Sequence, residues 1–346
     1  MTKASVTGLP ETPIAPGKLP PAFLQQILDL PRASSPDVIV GPGLGEDGAV
    51  VRMGRRLVAL ASDPITFPTP RPGFFAIHVN ANDIAVMGAK PTYYTLTVIL
   101  PPGSTAAQAG EIVSDALEVS RELGIVLVGG HTEVSCAVSI PVVSVTMFGE
   151  LLRPEPTCTG NGQPGDVVVQ VNPLGIEGTA ILASEYRERL VKELGADLVD
   201  RAANFSYDPG LSVVKAAIFA STRLRVHAMH DPTEGGIATG LREIADASGT
   251  GVVVRRTALL QREETTQICR LLGHDPLGII SSGCLLISTQ ERHAEGAVRM
   301  FADMGFPASV IGSLTPAPGQ YRIENAAGDT EPLPVFAADE LVREED

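Results

Sequence analysis

The sequence has no tryptophan, aromatics amount to 4%, and there are four cysteines in 346 residues. Its cores must therefore rest on Val, Ile, Leu and Ala. Cys136, Cys158, Cys269 and Cys284 show no C-x-x-C spacing, so buried free thiols in a reducing cytoplasm are expected. Positive charge is also scarce: 26 Lys+Arg stand against 40 Asp+Glu, a formal charge of −14. Such a chain repels a phosphate backbone, which argues against a nucleic-acid partner. No apolar run approaches a membrane span, and Met1 to Pro21, rich in Pro and Thr, lacks the apolar stretch of a signal peptide. No membrane partner is expected.

Glycine (35) and proline (28) are plentiful without a repeating period, which excludes collagen and implies many tight turns between short elements. The first 36 residues read as an arm carrying one helix, Pro21 to Leu30. Strands are predicted at Leu57–Ser62, Thr92–Leu100, Ile125–Val128 and Ile140–Phe148, and helices at Gly73–Gly88 and Thr105–Leu123. In the latter, Ile112, Ala116, Val119 and Leu123 form one apolar stripe. Five Pro and Gly crowd into Arg153–Pro164, the best domain boundary and a hinge between a half at 37–153 and a half at 165–346. Beyond it, strands are predicted at Asp166–Val171, Arg225–Met229, Val252–Arg255, Cys284–Ser288 and Ala308–Ile311. Helices are expected at Gly178–Leu194, Leu211–Ser221, Glu234–Ala247 and Gln290–Met304, giving two α/β halves.

The densest signal is Gly41-Pro-Gly-Leu-Gly-Glu-Asp-Gly48. Gly43 to Gly48 formally fits G-x-G-x-x-G, but that fingerprint must open a helix holding a pyrophosphate. Here strand-like Ala49-Val-Val51 follows, and Glu46 and Asp47 would repel phosphate. Carboxylates on a glycine loop suit a magnesium-mediated phosphate site better, since Mg²⁺ bridges hard oxygen ligands to phosphates. Asp63 is expected at the end of its strand, and Asp83 on a helix face shared with Asn80. Gly129-Gly-His-Thr-Glu133 is read as a turn leaving a strand, with His131, Thr132 and Glu133 able to face a phosphate or metal.

Together, Gly41 to Val50, Ser62-Asp63, Asn82-Asp-Ile-Ala-Val-Met-Gly-Ala89 and Gly129-Gly-His-Thr132 resemble the motifs of the aminoimidazole ribonucleotide (AIR) synthase superfamily, in order and spacing. In the second half, His230-Asp-Pro-Thr-Glu-Gly-Gly236, Glu243 to Gly249 and Leu271 to Pro276 look most like its HypE members. The resemblance spans roughly residues 15 to 315. It implies the two-domain PurM-like architecture, α/β (α+β) in class, and a homodimer whose N-terminal strands meet in a barrel beside a C-terminal α/β domain. It also implies ATP and Mg²⁺ as cofactors and an enzyme that activates a carbonyl or amide oxygen by phosphoryl transfer. A kinase of the thiamine-monophosphate type and a nucleotide-binding partner in metallocofactor assembly are the alternatives.

On that resemblance Asp47, Asp63 and Asp83 bind metal, Gly43, Gly45, Gly129 and Gly130 shape a phosphate cradle, and Thr132 and Asp231 contact the nucleotide. Asn80 or Asn82 orients substrate or water, while Lys18, Asp83 and His131 are the catalytic candidates. Two departures stand out. His131 occupies a position where HypE and the thiamine kinase generally carry Asp, and the sequence reads Leu341-Val-Arg-Glu-Glu-Asp346 where HypE has Pro-Arg-Ile-Cys. His227 and His230 flank a strand end without a third ligand, so zinc is not expected, and Cys284 opens an apolar run as a structural thiol.

Overall fold

The computed structural model describes Ile14 and residues 17–342. The rest of the expected arm and the tail at 343–346 lie outside the described residues. After helix α1 (Pro21–Leu28), a first sheet is built from β1 (Val38–Val40), β2 (Ala49–Met53), β3 (Arg56–Ile65), β4 (Ala89–Leu100), β5 (Val126–Val134) and β6 (Val142–Leu151). Its order is β1-β2-β3-β6-β4-β5, antiparallel except for the β4–β5 pair. Between these strands run α2 (Pro72–Val86) and α3 (Ala106–Leu123). Thr105 and Gln108 close α3 with a reciprocal capping box, Gly124 ends it at φ 70°, and the stripe of Ile112, Ala116 and Val119 is buried as its spacing requires.

The second sheet contains β7 (Asp166–Val171), β8 (Ala228–His230), β9 (Gly251–Arg255), β10 (Leu285–Gln290), β11 (Ala308–Thr315), β12 (Tyr321–Glu324) and β13 (Thr330–Pro332). It runs β13-β12-β9-β11-β7-β10-β8, with β9–β12 its parallel pair. Around it lie α4 (Ile176–Glu185), α5 (Arg187–Leu194), α6 (Ala196–Ala203), α7 (Val214–Arg223), α8 (Gly236–Ala247), α9 (Glu263–Leu272) and α10 (Glu291–Asp303).

Helix α2 is the axle of the fold. The sheet, α3 and α7 all pack on it, so nearly every one of its residues is buried, Asp83 included. Backbones touch here: a Cβ on Gly73 would sit 2.1 Å from the Ile112 carbonyl oxygen. One apolar cluster continues from Val50 and Ile84 to Val169 and Phe301, crossing from one half to the other.

Several expectations need correction. The Pro/Gly stretch is a packed connector: Thr157 and Thr159 are buried, the Thr157 N–H donates to the Met87 carbonyl, and Met229 N–H donates to Thr157. A single helix over Gly178–Leu194 becomes α4 and α5, split at Tyr186 (φ −98°, ψ 22°). Strand β8 starts at Ala228 instead of Arg225, and β5 runs on through Val134. Cys136 is exposed in the β5–β6 turn, while Cys158, Cys269 and Cys284 are buried.

Glu177, in the first turn of α4, is buried, and burial pushes its carboxyl from about 4.5 up to about 7. The folded state therefore keeps a proton that the unfolded chain releases. This contribution to stability is complete below pH 4.5 and is lost as pH rises through 7. Glu177→Gln should flatten that part of the profile, leaving the variant more stable than wild type at pH 8. Denaturant melts at several pH values check this, and parallel profiles would refute it.

Candidate active site

The Gly41–Gly48 loop runs directly into β2, so no helix follows its glycines. Gly45 takes φ 73° and passes against α8, where an added Cβ would stand 3.2 Å from the Glu243 carbonyl oxygen. That close approach turns Glu46 and Asp47 inward. The connector then clasps them: Thr159 Oγ1 donates to Asp47 Oδ2 at 3.0 Å, and the Gly160 N–H donates to Glu46 Oε1 at 3.2 Å.

Opposite the loop, β8 ends at the buried His230. Its Nδ1 lies 2.9 Å from Asp47 Oδ1 and its Nε2 3.0 Å from Glu243 Oε2. Burial works against charge on the ring, yet the carboxylates of Asp47 and Glu243 hold its pKa well above the usual value. Each ring nitrogen of His230 thus faces a carboxylate. Against the upward push of its own burial, Glu243 is held at about 2 by His230 and by Lys18, whose Nζ stands 3.4 Å from Oε1.

Beside this relay, Asp47, Asp83 and Asp231 each present an oxygen within 4.8 Å of the other two. Burial, and then repulsion by neighbouring aspartates, raises the pKa of both Asp83 and Asp231. Asp83 Oδ2 and both carboxylate oxygens of Asp231 are buried without a hydrogen-bond partner. Glu46, Asp47, Asp63, Asp83, Asp231 and Glu243 thus gather around two cations, Lys18 and His230. Hard oxygen donors, orphaned and short of positive charge, form the donor set that suits Mg²⁺.

The carboxylates that the fold brings within this distance are Asp47, Asp83 and Asp231, with Asp63 outside that group. Asp63 lies within β3, opposite Val145, instead of ending the strand. The amides of Asn80 and Asn82 are hydrogen-bonded to backbone. Asn80 bonds both the N–H and the carbonyl of Asp63, and Asn82 bonds the Leu211 carbonyl and the Val213 N–H. Asn80 is a positioning residue that fixes β3 against α2.

Gly129, Gly130, His131 and Thr132 form no turn; they continue β5 alongside β4. A Cβ on Gly130 would lie 2.0 Å from the Leu96 carbonyl oxygen, so strand approach explains this glycine. His131 is exposed, 3.3 Å from Glu133, and within one chain does not join the carboxylate group. His227 turns to Asp166 at 2.7 Å instead of sharing a site with His230. Burial raises the Cys284 thiol, as expected of a structural cysteine. Sequence reasoning gave no role to His230, Glu243 or Thr159. His230 precedes an aspartate at a strand end and Glu243 opens the Glu243–Gly249 motif, so both lay within segments that the family resemblance had marked.

The N-terminal domain model of the AIR synthase related protein family matches residues 45–151, and the C-terminal domain model matches residues 163–324. The chain is 29% identical over 307 residues to carbamoyl dehydratase HypE of Rhodobacter capsulatus, covering 86% of this chain and 87% of that one. It is 28% identical over 300 residues to a putative hydrogenase expression/formation protein of Methanocaldococcus jannaschii, covering 84% and 86%. Among solved structures, hydrogenase maturation protein HypE in complex with ATP superposes with a TM-score of 0.69 at 26% identity, covering 89% of this chain and 88% of that one. The ThiL protein complexed with AMPPCP and TMP shares the fold, with a TM-score of 0.68 at 18% identity over 84% and 91%.

Removing one of three mutually repelling buried carboxylates relieves the metal-free protein. Asp231→Asn should therefore melt a few degrees higher than wild type without divalent cations, yet lose the stabilisation that millimolar Mg²⁺ confers. Thermal melts with EDTA and with Mg²⁺ test both halves. A variant still stabilised by Mg²⁺ as strongly as wild type would contradict the assignment.

Proposed function

Because the chain belongs to the AIR synthase related family, matched by both of its domain models, we propose that the Asp47–Asp83–Asp231 cluster is where it holds the phosphates of ATP through Mg²⁺. The protein is an ATP-dependent enzyme of this family, activating a carbonyl or amide oxygen by phosphoryl transfer. The observation that carries the placement is the set of buried oxygens on Asp83 and Asp231 that have no partner of their own. When bound, Mg²⁺ supplies charge neutralisation and a bridge to phosphate oxygens.

The protein's own groups do the rest. His230 fixes the Asp47 carboxylate from one side while Thr159 fixes it from the other. Lys18, half-exposed on the arm, is the cation available to the γ-phosphate oxygens. The acceptor is an amide of carbamoyl type: its oxygen attacks the γ-phosphorus, ADP leaves, and the oxygen departs as phosphate while the nitrogen gives up its protons. The water-equivalent removed thus appears as ADP plus inorganic phosphate. On this reading 37–153 is the nucleotide-binding half and 165–346 the half that shapes the acceptor site, in a cytoplasmic protein. No helix among the described residues is long and apolar enough to cross a membrane.

The first sheet supports a homodimer. Strand β5 is paired on one side only, and Val126, Val128 and Val134 are 53%, 53% and 56% exposed. A long apolar edge of this kind needs a cover. A second copy supplies one and brings its Gly129–Thr132 segment toward the neighbouring site.

Titration calorimetry should show ATP binding that requires Mg²⁺ and falls at least tenfold in Asp83→Asn. With γ-labelled ATP and a carbamoyl-bearing acceptor, the label should be recovered as inorganic phosphate; label retained on the acceptor would mark a kinase. Separately, Val128→Lys should turn the dimer into a monomer in sedimentation velocity and weaken ATP binding. A Val128→Lys protein that remains dimeric would sink the edge-pairing arrangement.

A further inference from the structure

The second sheet has two faces of different fate. Val252, Val254, Ile311 and Leu314 pack under α8, whereas Val253, Val310 and Ser313 face the other way. There they floor a cleft of 1080 Å³ walled by α10 and by the segment after α7. The cleft shares no residue with the carboxylate site.

Its rim is cationic on a protein of net charge −14. Arg223, Arg225, Arg255, Arg292 and Arg299 line it, interleaved with Glu291, Glu295 and Glu324. Few of these guanidiniums are committed. Arg299 reaches Glu295 only at 3.9 Å, Arg292 meets the neighbouring His293 ring, and Arg255 donates to the Val310 carbonyl at 2.7 Å. Arg223 and Arg225 are exposed and have no acidic partner among the described residues. Five of the 26 basic residues thus line one cleft, against three glutamates.

We propose that this cleft docks an extended acidic segment of a partner protein, its carboxylates on the arginine rim and small apolar side chains on the valine floor. Guanidinium forks match carboxylates bidentately, and the apolar floor asks for intervening hydrophobic residues. The arginines come from separate elements, α7, the segment after it, β9 and α10, which suits a long ligand. Strands β9 and β11 are paired on both sides, so the segment lies across their side chains and adds no strand. Interleaved glutamates and the overall negative charge disfavour a continuous phosphate backbone.

The test uses the full chain and a fluorescein-labelled twelve-residue peptide of alternating glutamate and valine, followed by anisotropy. The peptide should bind, weaken as salt rises from 50 to 300 mM, and lose at least tenfold in affinity against R223A/R225A. Both arginines are exposed, and an unchanged melting temperature and unchanged ATP binding would show that the variant is intact. A glutamine–valine peptide should bind at least tenfold more weakly. Equal binding of the glutamate and glutamine peptides, equal binding by the double variant, or displacement by millimolar pyrophosphate as effective as by unlabelled peptide would each overturn the proposal.

Discussion

Mutual repulsion among Asp47, Asp83 and Asp231 is the constraint on which the rest of this structure depends. Three carboxylates from a loop, a helix and a strand end are pressed into one buried place, which a fold by itself would avoid. The arrangement holds because the surroundings over-determine it. His230 lies between Asp47 and Glu243, Thr159 donates to Asp47, and α2 is packed on all sides so that Asp83 cannot swing away. What remains uncompensated is a negative field, the kind that hard cations neutralise.

The site belongs to neither half alone. Glu46, Asp47, Asp63 and Asp83 come from the first half, while His230, Asp231 and Glu243 come from the second. The connector between them is bonded to both and carries Thr159 and Gly160 into the site. A Pro/Gly-rich stretch read as a hinge is thus a clasp, because its buried backbone groups have to be satisfied by the segments on either side. The continuous apolar cluster across the halves gives the same result: the spacing of ligand groups is held by core packing, as tight geometry requires.

Much of the fold was legible because its signals are local. The stripe of α3, the β7 strand, and a glycine loop that turns into a strand all follow from short-range periodicity and backbone chemistry. Misreadings arose where tertiary context overrode the local signal. Gly129-Gly130 looks like a turn, but these glycines allow β5 to approach β4 at a bulge.

From the sequence alone came the class of chemistry: acidic residues on glycine-rich and strand-end motifs, in an order that marks the family, with too few cations to hold phosphate without a metal. Residue type and short spacing suffice for that, because a carboxylate's affinity for hard cations is intrinsic to it. Which carboxylates converge was decided only in three dimensions. Asp231 lies far from Asp47 along the chain and meets it because β8 ends against the loop, whereas Asp63, closer in sequence, is held at the rim by its place within β3. Distance in space is set by strand order and core packing, and no local pattern encodes either.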